Sequence, residues 1–84
     1  MNETNGDAEL RDWLIGRVAF HLDRPPEAIE PDTELAVYGL DSVYAMAVIS
    51  EIEDRLRVEL DPADLRRYPT INTLARHLVR VAPG

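Results

Sequence analysis

The chain has 84 residues, a formal net charge of −7 and no cysteine. Such a length accommodates one small domain that buries about 60–65% of its unfolded surface. Without cysteine, disulfides, thiolate metal sites and a thiol nucleophile of the chain's own are excluded.

Charge is unevenly placed. Residues 1–54 carry 13 acids against 3 arginines, whereas residues 55–84 carry 6 arginines against 3 acids. An acidic front repels nucleic-acid phosphates and suits partners with basic surfaces. No apolar run reaches membrane-spanning length, and the polar start MNETNGDAEL is unlike a signal peptide. The expected compartment is the cytoplasm.

In chain order, residues 1–6 read as a flexible tail. From Asp7 the pattern turns helical, with Leu10, Trp13, Leu14 and Val18 at helical spacing and acids near the positive end. Pro25 and Pro26 end it. A long connection follows, DRPPEAIEPDTELAVYGLD, with Ile29, Leu35 and Val37 as apolar anchors. Loops of this length in small domains are uncommon unless they serve a function.

A second helix is expected over Ser42 to Arg57, with Asp41 as its N-cap. At about 100° per residue, Ala45, Val48, Ile49, Ile52 and Leu56 form the core stripe, and Val43, Ala47, Ser50 and Asp54 the opposite ridge. VELDP reads as a connector with Leu60 inward, and PADLRRY as a short helix with proline first. TINTLARHLVRV sets Ile71, Leu74, Leu78 and Val81 on one face, capped by Thr70 or Asn72. The expected fold is all-α: a small antiparallel bundle of three main helices and one short one, spanning 7–81, with 82–84 a tail or linker.

Candidate chemistry is sparse. His21 and His77 have no metal-ligand neighbours at useful spacing and read as structural or surface residues, so no metal is expected. Glu51 and Glu53 are two apart on a helix, do not face each other, and read as a solvated acidic face. No phosphate loop, nucleophile elbow or catalytic triad frame is present, and a small bundle rarely offers a deep pocket. Trp13 and Phe20 read as core or groove aromatics, Met46 as core filler or soft contact surface, and Tyr44 as either packed or displayed.

Ser42 stands apart. As a bare Asp-Ser pair it would be a helix start and nothing more. Gly39, however, can supply an unusual backbone angle that lifts the helix start clear of the loop. The hydroxyl then lies at a helix N-terminus, where amides and the dipole favour an attached phosphate.

The segment YGLDSVYAM resembles the attachment motif of acyl carrier proteins: Gly, an apolar residue, Asp, Ser, then Leu or similar. IEPDTEL resembles that family's approach to the motif, and YPTINTLARHL its closing segment and last helix. The resemblance covers nearly the whole chain, with Val43 standing where Leu is usual. It implies that a phosphopantetheinyl transferase attaches 4′-phosphopantetheine from coenzyme A to Ser42, with Asp41 and Gly39 serving the cap and transferase recognition. The arm's thiol would carry acyl groups as thioesters, with no catalysis by the chain itself.

The family's acids usually line more of this helix in dissociated fatty acid synthesis, including the position of Ala47. Here they occupy only its C-terminal half, which resembles carriers of polyketide or related lipid synthases. The implied partner face is Val43, Met46, Ala47, Ser50, Glu51, Glu53 and Asp54. The implied partners are the transferase, an acyltransferase or acyl-adenylate-forming ligase, and a ketosynthase or other synthase enzymes, with the carrier a monomer. A peptidyl or aryl carrier of nonribosomal peptide synthesis is the nearest rival, and an unmodified helical interaction module the rival from another class.

Overall fold

A computed structural model describes residues 2–40 and 42–82, with side chains described over 8–40 and 43–82. Four helices follow one another: α1 (Asn2–Leu22), α2 (Ser42–Leu56), α3 (Pro62–Arg67) and α4 (Ile71–Val81). The described residues hold one isolated β-bridge and no strand, so the all-α expectation is met. The backbone of α1 is helical from Asn2, earlier than Asp7, where the apolar spacing places its start. No proline interrupts residues 2–22, so the backbone continues outward past its buried stretch.

Each helix ends where local chemistry dictates. After α1, Asp23 adopts a left-handed conformation (φ 57°), and the Arg24 amide bonds the Ala19 carbonyl at 3.0 Å. The Asp23 amide reaches Phe20 O at 3.3 Å, which completes a Schellman-type stop one residue before the prolines. Arg57, at φ 58°, closes α2 in the same region of backbone space. Capping boxes open the last two helices, Asp61 with Asp64 and Thr70 with Thr73, each satisfying two amides. The cap of α4 is therefore Thr70, and Asn72 is spent elsewhere. The Asp41 cap of α2 lies outside the described residues.

α1 packs against α4 and α2, and α2 against α3. Along the α1–α2 seam, Arg55 lies 4.9 Å from the Trp13 ring centre while Arg17 pairs with Glu51, so the two helices run antiparallel. Leu14, Val18, Val48, Ile52, Ile71, Leu74 and Leu78 are almost completely buried and form the centre. Ile29 and Leu35 fold the long connection onto them. Leu60 is half-buried on the core, as its spacing suggests, but Val58 before it is more deeply buried. Ala19 and Ala75, small residues that the periodic pattern passes over, are buried at the helix seams.

Three expected core residues are instead exposed. Phe20 is 68% exposed because it lies roughly 200° around α1 from Val18, on the outer side. Val37 is 71% exposed: the 3₁₀ turn Leu35–Tyr38 points Leu35 inward and turns its third residue away. Val81, the last residue of α4, is exposed past the turn that packs on α1.

The connection is tied down along its length. The Tyr38 hydroxyl accepts the Glu30 amide at 2.7 Å. The Leu35 amide donates to Pro69 O at 2.8 Å beside a Glu34–Thr70 bridge, and the Asn72 amide donates to Pro31 O at 3.0 Å. Asn72 Nδ2 donates to Asp32 Oδ1 at 2.6 Å. A residue buried at this centre leaves a cavity on truncation, so Leu14→Ala should cost about 2–5 kcal/mol. The Thr70→Ala cap variant should cost about 1 kcal/mol, both read from urea unfolding midpoints at an unchanged slope.

Candidate functional site: the head of α2

Ser42 is the first residue of α2, and the chain reaches it by way of Gly39. Gly39 adopts φ 89° and closes the Leu35–Tyr38 turn through its amide, which bonds Ala36 O at 3.0 Å. No atom would meet a Cβ at this position, so it is the backbone angle and not space that calls for glycine. Leu40 then returns to the core edge, half-buried, before the helix starts.

The residues after Ser42 divide by face. Val48, Ile49 and Ile52 are buried and Ala45 and Leu56 half-buried, matching the expected stripe. On the outer side Val43 is 75% exposed and Ser50 and Asp54 are exposed, whereas Ala47 is half-buried. Met46 is 50% exposed and Tyr44 lies at the edge between packing and display. Val43 and Met46 thus display apolar side chains in the first turns of α2.

The two glutamates do not form a solvated acidic face. Glu51 turns to α1, where Arg17 donates to both its carboxylate oxygens at 2.8 and 3.2 Å. The His21 Nε2 lies 3.0 Å from the same carboxylate. Arg17 and His21 are four residues apart, hence on one face of α1. Their spacing is visible in the sequence; the acid they meet is not. The Arg17 hydrogen bonds hold the Glu51 carboxyl below its usual range, partial burial opposes this, and His21 adds to the lowering. Glu53 accepts the Leu60 amide at 2.9 Å and so secures the α2–α3 connection. Of the three α2 acids, Asp54 alone is exposed.

The remaining candidates fall into structural places. Phe20 lies under the Arg17 guanidinium at 4.7 Å and edge-on to His21. His77 stacks on Tyr68 with ring centres 4.1 Å apart. Among the described residues, no three metal-ligating side chains gather. No described helix is long and apolar enough to cross a membrane.

A groove of about 510 Å³ opens beside the head of α2, a concavity larger than a small bundle is expected to supply. Leu35, Ala36 and Leu40 of the connection, Ala45 and Met46 of α2, and Pro62 and Leu65 of α3 provide its apolar walls. Ala45 and Met46 follow Ser42 by three and four residues, one helical turn along. Ser42 thus heads α2 with an apolar-walled groove one helical turn farther along.

This is the fold of a carrier domain. Residues 12–78 match the family described as the phosphopantetheine attachment site, and the chain belongs to that family. Its members bear covalently attached 4′-phosphopantetheine. Over 80 residues the chain is 34% identical to a phenolphthiocerol/phthiocerol polyketide synthase protein of Mycobacterium tuberculosis, covering 95% of this chain and 4% of that protein. It is 31% identical over 71 residues to the polyketide synthase PksL of Bacillus subtilis, covering 84% of this chain and 2% of that one. A free-standing peptidyl carrier protein from Acinetobacter baumannii superposes with a TM-score of 0.85 at 40% identity, over 88% of this chain and 92% of that chain. The chain therefore corresponds to a small part of the curated synthases and to nearly all of the free-standing carrier.

The Glu51 pair predicts a pH signature. A carboxyl held low in the folded state stabilises above its unfolded value of about 4.3, and that stability is lost as pH falls through the folded value. Unfolding curves should show Glu51→Gln less stable than the parent at neutral pH, with the gap closing on acidification. A gap that does not change with pH would show that the ion pair with α1 contributes nothing.

Proposed function

We propose that Ser42 is the attachment serine and that the chain carries acyl intermediates for a polyketide or related lipid synthase. The observation that carries this reading is the family match over 12–78, which encloses a serine heading α2 three residues after Gly39. Gly39 and Asp41 would shape that approach for a phosphopantetheinyl transferase drawing on coenzyme A in the cytoplasm. The residues that would hold the group are Ser42 itself, through a phosphodiester, and the groove beside Ala45 and Met46. When bound, the group supplies a thiol on a long arm, which fits a chain with no cysteine of its own. The chain's own residues present, orient and release that arm, and the reactions belong to the partner enzymes.

The partner face follows from what α2 leaves displayed. Val43, Met46, Ala47 and Ser50 offer a small, largely apolar ridge beside Ser42, and Asp54 offers one charge farther along. Glu51 and Glu53 support that face from within, because α1 and the Leu60 amide already hold them. An acyltransferase or acyl-adenylate-forming ligase, and then a ketosynthase or similar enzyme, would meet this ridge. A reading as a peptidyl carrier is favoured by one observation, the 40% identity to the free-standing peptidyl carrier. The two are separated by which activated acids, acyl or aminoacyl, appear on the modified chain.

Incubation with coenzyme A, magnesium and a broad-specificity transferase should add one phosphopantetheine mass to the parent and none to Ser42→Ala. Absence of the gain, or a gain that persists in the alanine variant, would leave an unmodified helical module as the better description. For the partner face, Ala47→Glu places a charge in the apolar ridge and should slow loading by the native partner about fivefold or more, in the range of a contact worth 1 kcal/mol. Asp54→Asn should act on the association rate and its salt dependence. Equal loading rates for parent and Ala47→Glu would remove the ridge from the interface.

A further inference from the structure

We infer that the outer face of α1 pairs with the same face of a second copy of the chain. The two α1 helices run parallel, Gly16 and Phe20 make the contact, and Asp12 of each copy meets Arg17 of the other. This goes beyond the monomer that the resemblance implies, and it does not depend on modification of Ser42.

The contact residues are ones the bundle itself does not use. Gly16 lies inside a helix of 21 residues, where glycine destabilises relative to alanine. No atom lies within 4 Å of where its Cβ would stand, so nothing within the chain calls for glycine there. Phe20, four residues on, is 68% exposed. Trp13, three residues before, is half-buried with Arg55 over its ring. Glu9, Trp13, Gly16 and Phe20 thus follow one another at spacings of four, three and four, the interval at which paired helices meet. Leu10, Leu14 and Val18 on the inner side are already buried.

The charges say what covers this face. Asp12 and Arg17 flank the stripe, each roughly 70° from its centre line and on opposite sides. They are five residues apart, the spacing at which flanking charges meet across two parallel helices in register. An antiparallel pair would instead set acid beside acid and base beside base. Asp12 is exposed and takes part in no ion pair among the described residues. Arg17 spends Nε and Nη2 on Glu51 and keeps Nη1 for a second carboxylate. Glu51 already holds that guanidinium beside the stripe, 4.7 Å from the Phe20 ring centre, so pairing orders little that is free. Phe20 of each copy packs beside Gly16 of the other, where the missing side chain leaves room for a ring. Glu9 sets like charges together at one end, and the seam spans about two heptads. The dissociation constant should therefore be on the order of 0.1–1 mM. Where two copies are tethered near one another, effective concentrations reach the mM range and such a contact forms.

The test uses the full unmodified chain at about 0.15 M salt, which screens repulsion between copies of net charge −7. Diffusion followed by NMR from about 0.05 to 3 mM should slow toward the dimer value. Phe20→Glu, at an exposed position, should abolish the slowing and keep the parent's unfolding midpoint. Asp12→Arg should weaken pairing about fivefold or more, because it sets cation against Arg17. Ser42→Ala should pair like the parent, so loss of the carrier reading would leave this contact standing. The chain has no cysteine, so single-cysteine variants report the direction of the helices. Gly16→Cys and Phe20→Cys should each form a disulfide-linked dimer about tenfold or more faster than Arg76→Cys, on the exposed side of α4. Rates are corrected for each thiol's reactivity toward a small aromatic disulfide. A chain that stays monomeric to about 3 mM would overturn the inference. Cross-linking at 16 without cross-linking at 20, which marks an antiparallel crossing, would overturn it as well. Equal rates at 16, 20 and 76, or undiminished pairing in Phe20→Glu, would place the contact elsewhere and have the same effect.

Discussion

The surroundings of the α2 head depend on how the connection 23–41 is tied to the start of α4. Pro69 accepts from the Leu35 amide, Asn72 donates to Pro31 and Asp32, and Thr70 lies opposite Glu34 in a β-bridge, so a segment with no regular ladder still has defined partners for its backbone. That tie seats Leu35 in the core and places the Gly39 turn beside α2. It also brings Leu35 and Ala36 opposite α3 to form one wall of the groove. The Thr70 capping box serves two purposes here, because the residue that starts α4 is also the bridge partner of Glu34.

A second constraint acts across the α1–α2 seam. Glu51 is held by Arg17 and His21, and Glu53 by the Leu60 amide, so charge that looks available on a helical wheel is already committed inside the molecule. Partly exposed pairs of this kind contribute modestly to stability. Their larger effect is on the surface, since they leave the outward ridge of α2 mostly apolar near Ser42 with one exposed α2 acid, Asp54, farther along. The same packing that aligns two antiparallel helices therefore sets what a partner enzyme meets.

Much of the bundle is legible in the chain because its helices are strongly patterned. Leu10, Leu14 and Val18, then Val48 and Ile52, then Ile71, Leu74 and Leu78 fall at helical spacing and are the residues buried together. The misread residues are those whose fate depends on a neighbour. Phe20 is apolar but on the wrong side of its helix, and finds Arg17 instead of the core. Val37 lies in a 3₁₀ turn, whose tighter winding defeats a count made for α-helices. Val58 is buried in a stretch too short to show any period.

The helical pattern, the stop near the double proline and the position of Ser42 behind a glycine are all written in the order of residues. These are short-range properties of backbone freedom, capping and periodicity. Which acids on α2 remain displayed is settled by packing, because hydrogen bonds between Glu51 and α1 join residues thirty or more positions apart. Packing also brings the connection, α2 and α3 around one groove and sets Arg66 and Glu34 in its lining. A concave site is made by the faces of separate elements, and no local pattern in any one of them records the others.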